Sequence, residues 1–106
     1  MFSFMKKEIN MEAVNQYWDW FVNNEQWIID NFDTHGIEIV DAIDTMLKPV
    51  FPYFKSSLEF DFTYHKGEGE FNFYYMNKRN LLHDAKILKD RMPIEIARRW
   101  KFNISR

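Results

Sequence analysis

The chain has 106 residues, no cysteine and a formal charge of −2, which fits one small domain and excludes disulfides, thiolate catalysis and cysteine-bound zinc or iron–sulfur clusters. Glycine and proline number only three each while aromatic residues reach 19%, so a disordered chain is excluded and large rings are at hand to fill a small core. The near-neutral total hides a segregation: Glu8 to Leu47 holds nine acids and neither Lys nor Arg, whereas Asn77 to Arg106 holds nine Lys and Arg against Asp84, Asp90 and Glu95.

Residues 1–9 read as a flexible N-terminal segment of a single domain spanning 1–106. The opening Met1-Phe2-Ser3-Phe4-Met5-Lys6-Lys7 lacks the basic-then-apolar order of a signal peptide. No apolar run approaches the roughly 20 residues that cross a bilayer. A soluble, cytoplasmic protein with no membrane partner is expected.

From about Met11 to Phe32, Val14, Tyr17, Trp18, Phe21, Ile28 and Phe32 fall on one side of a helix. Asn10 is its natural N-cap, and Asn23-Asn24 is the place where it could bend. Asp33 or Thr34 offers a second N-cap before a helix from about Gly36 to Lys48, with Ile37, Val40, Ile43 and Leu47 as its expected core face and Pro49 as its stop. Three strands follow. Leu58, Phe60, Phe62 and Tyr64 alternate with polar residues, as do Phe71, Phe73 and Tyr75, and later Trp100, Phe102 and Ile104. Period two with one polar side marks half-buried strands. Lys66-Gly67-Glu68-Gly69 joins the first two as a hairpin, the glycines supplying positive φ. Between the second and third strands Leu81, Ala85, Leu88 and Met92 form a helical apolar stripe, capped by Asn80 and ended by Pro93.

The expected fold is therefore α+β in the order ααββαβ: two N-terminal helices, a β-hairpin, a helix and a final strand. The helices should cover the aromatic face of a three-stranded antiparallel sheet. Placing the last strand beside the first sets Arg99 and Lys101 opposite Glu59 and Asp61, a favourable cross-strand arrangement, and gives sheet order 2-1-3.

Two features point to partner binding. Glu38, Asp41 and Asp44 recur every third residue with no lysine at i+4 of Glu38 or Asp41 to relieve them, and like charges at such spacings weaken a helix. Trp20 and Trp27 are seven residues apart, hence on one helical face, with Asp19 and Asp30 beside them. Tryptophan within an acidic rim is the composition of an interface hot spot for a basic protein. The competing expectations are a solvated acidic face balanced by the basic C-terminal part, and burial of both rings under Phe2, Phe4 and the second helix.

The remaining chemistry is sparse. Arg98-Arg99-Trp100-Lys101-Phe102 interleaves charge with rings, but in strand phase its aromatics point inward, and the acids upstream repel phosphates, which argues against nucleic acid. His35, His65 and His83 have no metal-ligand spacing, so no metal or cofactor is expected. Ser3, Ser56, Ser57 and Ser105 have no nucleophile-elbow context, and glycine is too scarce for a phosphate loop. Catalysis is not expected; under an enzymatic alternative, His65 beside the hairpin turn is the first residue to test.

Tyr17-Trp18-Asp19-Trp20-Phe21, Leu58-Glu59-Phe60, Gly69-Glu70-Phe71-Asn72-Phe73 and Arg99-Trp100-Lys101-Phe102-Asn103-Ile104 resemble a small bacterial domain family that opens with a W-x-W-F helix and closes with a W-K-F-like strand. Met92-Pro93-Ile94-Glu95 departs from the more clearly capped segment of similar proteins. The resemblance implies an α+β fold and no assigned activity. The expected function is a small non-enzymatic protein-binding domain, for instance an immunity- or antitoxin-type inhibitor, that presents Asp19, Trp20, Trp27, Asp30, Glu38, Asp41 and Asp44 to a basic protein. Self-association between acidic and basic halves of separate copies is the alternative.

Overall fold

The computed structural model describes residues 8–106. Of the segment expected to be flexible, residues 1–7 lie outside the described residues, and so do Phe2 and Phe4 as possible covers for the tryptophans. Ile9 packs against the core, and the Asn10 amide donates to the Val50 carbonyl at 3.0 Å.

The chain is α+β, with helices α1 (Met11–Asn31) and α2 (Gly36–Leu47), one 3₁₀ turn (Lys48–Val50), strands β1 (Glu59–His65) and β2 (Glu68–Tyr74), helices α3 (Arg79–Asp90) and α4 (Ile94–Ala97), and strand β3 (Trp100–Ser105). Asn10 caps α1 as its sequence requires, its Oδ1 accepting from the amides of Glu12 and Ala13. The helix runs unbroken through Asn23-Asn24, and Asn24 and Asn31 each turn the side-chain amide onto a carbonyl one turn earlier, those of Trp20 and Trp27. His35, without a side-chain cap bond, precedes α2 in place of Asp33 or Thr34, and Lys78 replaces Asn80 ahead of α3. The short α4 follows Pro93, a segment the apolar periodicity did not mark.

The expected sheet is corrected in its neighbours. The strand order is β1-β2-β3 rather than 2-1-3, and the sheet is mixed rather than antiparallel, with β3 parallel to β2. A helical connection returns the chain to the end where the preceding strand began, so β3 must run parallel to β2 wherever it sits. What selects the neighbour is shape. Gly69 lies opposite Trp100, and a methyl group there would overlap the indole ring. Only a residue without a side chain leaves that space. The charges expected to hold β3 against β1 are placed otherwise: Lys101 stands in register with Glu70 without forming an ion pair, Arg99 reaches α1, and Asp61 accepts from Asn72 and Tyr74.

Gly69 is therefore a packing glycine with ordinary backbone, and the hairpin turn is Lys66-Gly67 alone, both with positive φ, the conformation that matches strand twist in a two-residue loop. The core sits between α1, α2, α3 and the aromatic face of the sheet. Phe21 meets Trp100 edge-on at 5.1 Å, Phe51 stacks on Phe73 at 5.4 Å, and Trp18 lies against Phe102 while donating its indole N–H to the Leu88 carbonyl at 3.0 Å. The central strand β2 is the most deeply covered, and β1, at an edge, only half so. The opposite face of the sheet is polar and uncovered by helices. Asn103 donates to Asn72, and Asn72 and Tyr74 donate to the two oxygens of Asp61. That bond to Asp61 holds the Tyr74 hydroxyl protonated above its ordinary range.

Candidate functional site

The acidic block folds into the α1–α2 hairpin, whose two helices pack on each other through one face each. On α1 that leaves Asp19 and Asp30 exposed, and Asp30 accepts a hydrogen bond from Gln26. Trp20 is half-buried against Tyr17 and Phe21. Trp27 is 38% exposed. The continuous helix does place both rings on one side, with Trp20 tucked toward the core and Trp27 open to solvent. On α2, Glu38 and Asp41 are exposed, and Asp44 is partly covered and 3.2 Å from the Lys48 ammonium one turn on. Among the described residues, only Glu25 and Asp44 of the nine acids have a Lys or Arg within ion-pair distance.

The expected core face of α2 is corrected. Ile39, Ile43 and Leu47 are buried, whereas Ile37 is 78% and Val40 39% exposed. The phase differs because an Ile39-Ile43-Leu47 stripe is as regular as the Ile37-Val40-Ile43-Leu47 one. The sequence does contain the deciding signal. At about 100° per residue Asp44 falls between Val40 and Ile37 around the helix axis, and an acid inside an apolar stripe places that stripe at the surface. Among the described residues the large apolar side chains left exposed are Trp27, Ile37, Val40 and Ile94. Three of the four stand on the acidic hairpin.

One acid of the block has a different role. Glu25 is buried, and its two oxygens accept from Nε and an Nη of Arg99, each at 2.6 Å, while one also accepts from the Trp100 indole N–H at 2.9 Å. Donation by Arg99 holds the Glu25 carboxyl below the usual range, with Trp100 adding to it and burial opposing. This two-pronged bond fixes α1 to the start of β3. It is structural, and it uses the one cation of the basic region that reaches the acidic block.

The other cations remain apart. Among the described residues Lys78, Arg79, Lys86, Lys89, Arg91, Arg98, Lys101 and Arg106 are exposed and have no carboxylate within ion-pair distance. Two of the depressions that border them differ in charge. One of about 410 Å³ beside the hairpin turn includes Thr63, His65, Glu68, Glu70, Arg98 and Lys101, and so mixes both signs. Another, of about 500 Å³, has Arg79, Lys86 and Arg106 in its wall and, among the described residues, no Asp or Glu. No cluster of three His, Asp or Glu residues that could hold a metal occurs among the described residues, nor does a helix long and apolar enough to cross a membrane.

Two tyrosine hydroxyls are drawn away from their ordinary range. The half-buried Tyr53 donates to the buried Asp84 at 2.6 Å, and burial together with that bond keeps it protonated well above that range. The Tyr17 hydroxyl is buried and finds no partner among the described residues, and burial alone raises it.

Comparison of the chain with protein-family models, with curated proteins and with solved structures finds no match.

Proposed function

We propose that the protein is a small, non-enzymatic protein-binding domain whose α1–α2 hairpin docks a basic partner protein, in the manner of an immunity- or antitoxin-type inhibitor. The observation that carries this reading is the coincidence, on the same pair of helices, of exposed Trp27, Ile37 and Val40 with Asp30, Glu38 and Asp41, which among the described residues have no Lys or Arg within ion-pair distance. Carboxylates alone would be a solvated face. Apolar side chains alone would be too few to matter. Together they supply a desolvatable centre and a charged rim, the two parts of a specific interface. Trp20 supports the surface from beneath as part of the packing, and Asp19 lies at the far end of the rim.

The test is capture from a native extract by the full chain at low ionic strength and at about 0.5 M salt, where exposed charges are screened within a few Å. A strongly basic protein, retained at low salt and lost both at high salt and with a Trp27→Ala/Ile37→Ser chain, is the expected result. Capture that ignores salt, or that survives both substitutions unchanged, overturns the reading. Self-association is the second reading, favoured by the set of cations that have no ion-pair partner among the described residues. Sedimentation at low salt separates the two, because a strict monomer ends it.

A further inference from the structure

We propose that the open depression bordered by the Tyr75–Lys78 turn, α3 and the end of β3 binds a small organic phosphate. This reading is independent of the partner-binding role of the helical hairpin and concerns the opposite charge.

The cavity brings together three cations from separate parts of the chain. Arg79 and Lys86 are seven residues apart on α3 and therefore share its outward face, opposite the buried Leu81, Ala85 and Leu88. Arg106 follows β3, whose end is tied to this place by the bond from the Tyr75 amide to the Ser105 carbonyl at 2.8 Å. All three line one space of about 500 Å³, within the size range of small-molecule sites. Among the described residues no Asp or Glu lines it. The nearest acid in sequence, Asp84, is buried and turned to Tyr53 and the imidazole of His83. Three like charges around one depression repel each other, and an anion seated between them reverses the sign of that energy.

The third wall has an unusual backbone. Met76 and Asn77 both have positive φ, at 54° and 60°, closed by a bond from the Lys78 amide to the Tyr75 carbonyl at 2.8 Å. This is the same kind of turn as Lys66-Gly67, built without a glycine. A methionine held there is strained by about 1–3 kcal/mol. The conformation sets Tyr75 and Asn77 into the cavity wall beside Leu82. The lining thus offers guanidinium forks for phosphate oxygens next to a ring and an aliphatic side chain for an organic body. The depression at His65, at the other end of β2 and β3, lacks this character, since Glu68 and Glu70 stand among its cations.

The experiment is a titration of the full chain, followed through its backbone amide NMR signals, with phenyl phosphate, inorganic phosphate and acetate as probes at low salt. Saturable shifts confined to residues 75–86 and Arg106 are expected. Phenyl phosphate should bind more tightly than inorganic phosphate, and acetate only weakly. Arg79→Gln and Lys86→Gln are each expected to weaken phenyl phosphate about tenfold, the loss of a charged hydrogen bond, and Arg98→Gln should change nothing. All three side chains are exposed, so the fold is retained. Shifts spread over every Lys and Arg without saturation would overturn the proposal. So would equal binding of acetate, phenyl phosphate no tighter than inorganic phosphate, or occupation of the cavity by a second copy, seen as a low-salt dimer that phosphate dissolves.

Discussion

The helical hairpin and the outer face of the sheet are both polar surfaces, and they treat their polar groups in opposite ways. On the sheet, Asp61, Asn72, Tyr74 and Asn103 satisfy one another across three strands, and no large apolar side chain of β1, β2 or β3 is left exposed. On the hairpin, Glu38 and Asp41 have no ion-pair partner among the described residues, and Trp27, Ile37 and Val40 stand open. A surface made for water alone resembles the first. The second carries the composition on which the proposed docking role rests, and the contact of Glu25 with Arg99 and Trp100 joins the two regions.

That join can be broken most severely from the sheet side. Gly69→Ala puts a methyl group into the Trp100 ring, which must then move away from both Phe21 and Glu25. A loss of about 3 kcal/mol is expected, at the upper end of ordinary overpacking. Chemical denaturation checks it as a lower midpoint with unchanged slope. A loss below about 0.5 kcal/mol would show that another contact selects the neighbour of β3.

From the helix side, Glu25→Ala leaves the buried Trp100 N–H without an acceptor and should cost about 1–3 kcal/mol at pH 7. The same contact sets an acid limit. The folded Glu25 carboxyl ionises below its ordinary value of 4.5, so the unfolded chain takes up the proton first as pH falls. Its contribution is fully present above about 4.5 and is lost as pH drops through the lower, folded value. Unfolding midpoints measured from pH 7 to pH 2 should therefore fall less steeply in Glu25→Gln than in the parent chain, and parallel curves would refute the assignment.

How much of this was legible beforehand follows from which forces act locally. Asn10 capping α1, the alternation in the three strands and the existence of a hairpin turn are decided within a few residues and stand as read, although the turn expected over Lys66-Gly67-Glu68-Gly69 is confined to Lys66-Gly67. The position of β3 was not legible, because Phe71 with Phe102 and Phe73 with Ile104 satisfy the same alternation as pairing with β1 would. The arbiter, a glycine facing an indole, is a long-range contact that no periodicity carries. Charge misled for a related reason: Arg99 had two acidic destinations, and the buried one on α1, with indole help, prevailed over the strand. In α2 two apolar stripes of equal regularity competed, and only Asp44 between Val40 and Ile37 distinguished them. Of the candidate site, Trp27, Asp30, Glu38 and Asp41 are displayed at the surface, Trp20 is drawn into the packing, and Ile37 and Val40 were hidden by being read as core.

A smaller effect, of opposite sign, separates core from surface on α1 itself. The Tyr17 hydroxyl is buried without a partner among the described residues, so Tyr17→Phe removes an unmet desolvation cost and keeps the ring. A gain of about 1 kcal/mol is expected, read as a raised denaturation midpoint. A loss instead would mean that the hydroxyl is bonded in solution, for example to a buried water.

The smallest expected change in stability is at the hairpin surface, and there the comparison with the sheet becomes sharpest. Trp27→Ala and Ile37→Ser remove side chains that water already reaches, so the folded chain should shift by no more than about 0.5 kcal/mol. The sheet residue Asn72→Ala, in contrast, deprives both Asp61 and Asn103 of a partner and should cost about 1 kcal/mol. If the hairpin is an interface, its two variants lose partner capture while remaining as stable as the parent, and Asn72→Ala loses stability while capturing normally. Stability and binding would then map to different faces of one molecule. A destabilisation of 2 kcal/mol or more by Trp27→Ala would place that ring in the core in solution and remove the apolar centre on which the docking surface depends.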